Sequence, residues 1–223
     1  MLSAEDEGVR GAITRAIAAR GFAPSNDDLA AALGMSLLQF EESLERLQAT
    51  KSLLLHPNSH KVWVAHPFAL SPGSCWVKTQ TRGYWANCLY CALGIAAALE
   101  RDAVIHTRLG GESEAVEFEI RNGEVVRGAE HVFHLSTPVA RWWDNVIYAC
   151  ASFQPFRSES DVNDWCDRHA MPFGHVMTIP ELAAFARDWY GEYVNKPWHK
   201  RTAEEIRIVF ERHGLVSPFW RIG

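Results

Sequence analysis

The sequence predicts an α+β protein in two parts: a winged-helix-like unit of three helices and a hairpin over residues 1–68, then a larger unit of strands and helices over 69–223. Three observations carry this reading. Ser25 and Ser36 each precede a short run with helical spacing of apolar residues, which is how an N-cap announces a helix. Asn122-Gly123 sits between two strand-like runs, and an Asn-Gly pair favours a tight hairpin. Thr178 with Glu181, and Thr202 with Glu205, have the spacing of a capping box ahead of two late helices.

In order along the chain, residues 7–19 read as a helix that stops at Gly21. Ser25 caps a second helix over 26–33, closed by Gly34. Ser36 caps a third over 37–49, with Leu38, Phe40, Leu44 and Leu47 for its buried side. Residues 53–55 and 62–64 flank a Pro57-Asn58-Ser59 turn and read as a hairpin. A linker, 67–74, leads to the second unit. There the apolar helix begins near Trp85-Ala86-Asn87-Cys88, and Trp85, Cys88, Ala92, Ile95 and Leu99 recur at helical spacing. Strands are expected over 103–109, 115–120, 124–126 and 132–136, and a further one over 146–151. Helices are expected from Ser158 or Ser160 through Cys166, from Thr178 towards Tyr193, and from Thr202 to Gly214.

Composition narrows the function classes. Hydrophobic residues make up 48% and charged residues 22% of 223, the balance of a globular protein with its own core. The net charge of −5 supplies no broad attraction to nucleic acid or an anionic membrane. Residues 1–70 hold eight acidic and six basic side chains, and the would-be recognition helix carries Glu41, Glu42 and Glu45. Phosphate contact needs the opposite sign, so the N-terminal unit reads as a packing module rather than a DNA reader. No run is long and apolar enough for a transmembrane helix. The acidic start, Met1 to Glu7, lacks a signal peptide's basic and apolar regions, so a cytoplasmic protein with reduced thiols is expected. Five cysteines, an odd number, do not make a disulfide framework.

Cys88 and Cys91 are three residues apart at the start of an apolar helix and so share a face. The positive end of the helix dipole favours the thiolate there. Several readings stand: two cysteines that only pack, a structural zinc site, a redox pair, or a soft-metal or nucleophilic site completed by Cys150. Zinc needs a second close pair, which Cys75, Cys150 and Cys166 do not supply. Cys75 and Cys166 are assigned to structure. The ten histidines are scattered and mark no hard-metal site, and Asp144 reads as a cap or a buried carboxylate.

The residues Trp85-Ala86-Asn87-Cys88 and Tyr148-Ala149-Cys150, with Trp142-Trp143-Asp144-Asn145, Phe153 to Phe156, Asp164-Trp165, Trp189-Tyr190, Gly214-Leu215 and Phe219-Trp220, resemble the alkylmercury lyases from about residue 60 onward. The resemblance implies a mixed sheet with flanking helices and a winged-helix domain that is not used to read DNA. It also implies protonolysis of a carbon–mercury bond by two cysteines and an aspartate, without a cofactor. Mercury(II) is then substrate and product, and external thiols remove it. The family's cysteines fall on Cys88 and Cys150, and its aspartate on Cys91. A thiol's reference pKa is about 8.5 against about 3.9 for Asp, and a thiolate is a soft ligand. Cys91 is therefore assigned as proton donor or third metal ligand. The resulting expectation is a lyase acting on an organomercurial or related soft organometal through Cys88, Cys91 and Cys150. The alternatives are a three-thiol protein that sequesters a soft ion, or another thiol-dependent reaction on an organic substrate.

Overall fold

Serine caps open the first three helices. In the computed structural model, which describes residues 2–222, Ser3 accepts from the amide of Asp6 at α1 (Ala4–Arg20). Ser25 accepts from Asp28 at α2 (Asn26–Ala32), and Ser36 from Gln39 at α3 (Leu37–Ala49). The first helix starts earlier than its apolar spacing suggests because Ser3 and Asp6 form a full capping box. Ile13 and Ile17 of α1 meet Phe40, Leu44 and Leu47 of α3 in one fully buried cluster.

The strands that follow form a continuous antiparallel sheet. They are β1 (Leu54–Leu55), β2 (Val62–Ala65), β3 (Phe68–Ala69), β4 (Cys75–Thr79) and β5 (Gly83–Ala86). Beyond the helix α4 (Leu89–Leu99) come β6 (Ala103–Arg108), β7 (Ala115–Arg121) and β8 (Glu124–Arg127). The order is β1-β2-β3-β5-β4-β6-β7-β8. Asn122 and Gly123 both have positive φ (50° and 80°), the conformation of the two central residues of the tight β7–β8 turn. Trp85 is a correction: it is a strand residue, paired with Trp76 and Ala69, and does not share the helical face of Cys88. The helix begins only at Leu89, and Cys88 is its extended N-cap residue.

A second sheet has the order β10-β9-β11, built from β9 (Val132–Leu135), β10 (Gln154–Phe156) and β11 (His175–Thr178). Its connections carry α5 (Val146–Ala151) and α6 (Glu159–His169). The expected strand over 146–151 is thus a helix. Val146 and Ile147 favour strands, but Asn145 accepts a hydrogen bond from the Tyr148 amide at 3.0 Å and starts a helical turn that burial of Val146, Ala149 and Cys150 then holds. The chain closes with α7 (Ile179–Tyr190) and α8 (Ala203–Arg212), each opened by its capping box. Helix α7 stops at Tyr190, short of Tyr193. It lies along α4, which packs on β4, β5 and β6. Close approach depends on Gly94: a Cβ there would lie 2.3 Å from the Tyr190 ring.

Candidate functional site

The start of α4 and the middle of α5 deliver three sulfurs to one place. Cys88 and Cys91 are 1% exposed and Cys150 5%. The sulfurs of Cys91 and Cys150 and a ring nitrogen of His66 lie within 4.8 Å of one another. The Cys88 thiol interacts with both other thiols. All five cysteines are free thiols.

Burial reverses the expectation of low-pKa thiols. The Cys88 pKa lies well above the ordinary thiol range, chiefly because burial disfavours its charge. Cys91 is raised most by its interaction with Cys150, and Cys150 by its interaction with Cys88; burial adds to both. Ionising one sulfur makes the next harder to ionise. The helix N-terminus is too weak to overcome this, so the cluster stores protons at neutral pH.

The thiols line a cavity of about 170 Å³ whose walls include Trp142, Trp143, Phe153, Trp189 and Trp198. The Tyr190 hydroxyl is 4.0 Å from the Cys91 sulfur, and burial keeps both Tyr90 and Tyr190 protonated. The roof comes from distant parts of the chain. Arg10 of α1, His66 after β2, and Lys51, Lys200 and Arg201 all line the space, and no lining residue is Asp or Glu. Arg10 is fully buried and has no carboxylate partner among the described residues. It donates to the carbonyls of Ser52 (2.8 Å) and His66 (2.7 Å) and to the Thr14 hydroxyl, and it sits over Trp198. Burial lowers its pKa to about 10, which leaves it charged at neutral pH. Burial, helped by Arg10, lowers His66 to about 4, so the imidazole is neutral.

His66 was missed by spacing. It lies on a different element from the cysteines, and only the folded chain brings it to them. Its Nε2 is 4.0 Å from the Cys150 sulfur, and its buried Nδ1 has no partner among the described residues. Cys75, assigned to structure, sits buried in β4 close enough to influence the Cys150 charge and does not line the cavity. Cys166 is remote, in the small-sheet core with Val162 and Trp165. Asp144 is neither cap nor buried; it is exposed and pairs with Arg141 at 3.1 Å, while Asn145 is the cap.

Three comparisons bear on this geometry. The family model described as alkylmercury lyase (MerB) matches residues 68–191, more than half the chain and the stretch that holds all three cavity cysteines. Among solved structures, the crystal structure of the mercury-bound form of MerB2 aligns with a TM-score of 0.71 at 20% identity. It covers 86% of this chain and 93% of that one, and at such identity the likeness is one of fold. A search of curated proteins finds no match.

Proposed function

Because the chain belongs to the alkylmercury lyase family, we propose that it captures an organomercurial on Cys88 and Cys150 and breaks the carbon–mercury bond with a proton from Cys91. The observation that carries this reading is the convergence of the α4 and α5 sulfurs on the floor of one apolar cavity. Members of this family work without an added cofactor; mercury is substrate and product.

The steps follow from the chemistry of a soft metal. The organomercury cation displaces a proton from one thiol and forms a mercury–sulfur bond. A second thiol releases its proton to solvent as it adds to the metal, which raises electron density on the bound carbon. The carbon–mercury electron pair then takes the Cys91 proton: the carbon–mercury bond breaks, a carbon–hydrogen bond forms, and Cys91 is left as a thiolate. Mercury(II) stays on sulfur until external thiols take it. Cys91 is donor before cleavage and available as a third ligand after it. The high pKa of the cluster supports this order, because the proton is present until the metal arrives. A cavity of about 150 Å³ can hold benzene, so 170 Å³ suits a small alkyl or phenyl group.

The test is to incubate the reduced protein with phenylmercury and excess low-molecular-weight thiol and to measure benzene. Catalytic benzene release is expected; none above a Cys88→Ser control would sink the reading. The lack of a lining carboxylate favours one second reading, stoichiometric sequestration of Hg(II), As(III), Pb(II) or Cu(I) by three thiols. Tight binding that needs all three cysteines, with no hydrocarbon released, is its signature.

A further inference from the structure

We propose that His66 completes a four-donor centre with Cys88, Cys91 and Cys150 that takes a tetrahedral divalent cation such as Zn(II) or Cd(II). This centre uses the same sulfurs as the lyase reading but does not require carbon–mercury cleavage.

The first argument is the donor set. Three thiolates and one imidazole are a standard combination for a closed, four-coordinate zinc site. The same set discriminates against hard cations, which want carboxylate and carbonyl oxygens, and the cavity lining contains no carboxylate. Mercury(II) held by two sulfurs makes no use of an imidazole; a tetrahedral ion does.

The second argument is distance. Metal–sulfur bonds of about 2.3 Å and metal–nitrogen bonds of about 2.0–2.1 Å at tetrahedral angles put donor atoms roughly 3.5–3.8 Å apart. His66 Nε2 and Cys150 Sγ are 4.0 Å apart. The widest separation among the His66, Cys91 and Cys150 donors is within 4.8 Å. Closing the gaps among these three donors takes about an ångström or less, within the range of side-chain rotation. Cys88 lies outside that group, though its thiol interacts with both other thiols, and its sulfur must swing further to serve as the fourth donor.

The third argument is that the imidazole is otherwise unexplained. Its ring stands edge-on to Trp143, with centroids 5.6 Å apart, in an apolar wall. Among the described residues, Nδ1 is buried without a partner and Nε2 makes only the long contact to sulfur. Buried polar atoms in native proteins are rarely left so. A metal on one ring nitrogen would give the imidazole a use that the wall around it does not. The donors also sit on defined elements: Cys88 and Cys91 at the α4 start, Cys150 in α5, and His66 directly after β2.

The test uses the full-length protein, stripped of metal and kept reduced. Cd(II) is expected to bind at one per chain. Co(II) is expected to give the visible absorption of a tetrahedral ion together with sulfur-to-metal charge transfer. X-ray absorption of the Zn(II)-loaded wild-type protein should show three sulfurs and one imidazole nitrogen. His66→Ala should weaken Cd(II) at least about tenfold, the scale on which loss of even an outer partner acts. A sulfur-only shell in the wild-type spectrum overturns the proposal whether or not the variant folds, and so does an unchanged affinity in a folded His66→Ala. Benzene release from phenylmercury is read separately, so failure of one proposal does not count against the other.

Discussion

Two buried regions of this molecule are made from the same kinds of residue. The thiol cavity holds His66, three cysteines and several tryptophans; the small-sheet core holds His134, Cys166, Trp165 and Phe156. In the small-sheet core one atom, His134 Nδ1, is buried without a partner among the described residues, and the polar atoms around it are paired. The Gly174 amide donates to His134 Nε2 at 3.0 Å, Trp165 donates to the Gly110 carbonyl at 3.0 Å, and the Cys166 sulfur faces the Pro172 carbonyl at 3.8 Å. Around the cavity, His66 Nδ1, the Tyr90 hydroxyl and Trp198 Nε1 are buried without partners among the described residues. The difference is that the second region packs its histidine and thiol away, while the first holds them against empty space. Composition alone does not separate a core from a site; unpaired polar atoms beside a cavity do.

The widest contrast is between two cysteines. Cys150→Ser should bring benzene release down to the level seen without protein, whereas Cys166→Ser should leave the rate essentially intact. Equal losses in both variants would erase the distinction between the regions. Next is Cys91. Cys91→Ala should slow release by about 10²- to 10⁴-fold, the usual contribution of a positioned acid. Cys91→Asp should raise release above wild type, since a carboxyl is the stronger acid. A fall in Cys91→Asp would mean that Cys91 does something the family's aspartate does not.

The two histidines should resemble each other in acid. Burial lowers His134 to about 4, as it does His66. Each therefore favours the folded state fully above the ordinary imidazole pKa of about 6.5, and that contribution is lost as pH falls towards 4. For His134 the loss is on the order of 2–3 kcal/mol. Urea midpoints for His134→Gln should consequently change less between pH 7 and 4.5 than those of wild type. The smallest effect concerns the seam between α4 and α7. Gly94→Ala should cost about 1–3 kcal/mol, because the new methyl meets the Tyr190 ring. A thermal melt checks it; an unchanged Tm would mean that the ring moves aside freely.

Much of the fold was legible because its signals are local. Serine and threonine caps, the Asn122-Gly123 turn and the Cys88/Cys91 spacing each act within a few residues. The failures were of the opposite kind. Val146 and Ile147 have strand propensity, and a single Asn145 cap with burial of one side overrides it. The dipole at the α4 start argued for thiolates, but three sulfurs buried together argue more strongly for thiols. His66 and Arg10 gave no sign in spacing, since each reaches the cavity from an element whose own pattern speaks only of helix or strand. A chain's proximity in space is encoded in the packing of those elements, not in any short motif.

The pieces of the cavity are scattered from Arg10 to Arg201, with His66, Cys88 and Cys150 between them. Closing such long loops comes late, because entropy opposes it until the contacts on both sides exist. A half-folded chain therefore owns the right sulfurs but not the chamber around them. Uptake of a soft metal with native stoichiometry would then serve as a signal that refolding has reached its end.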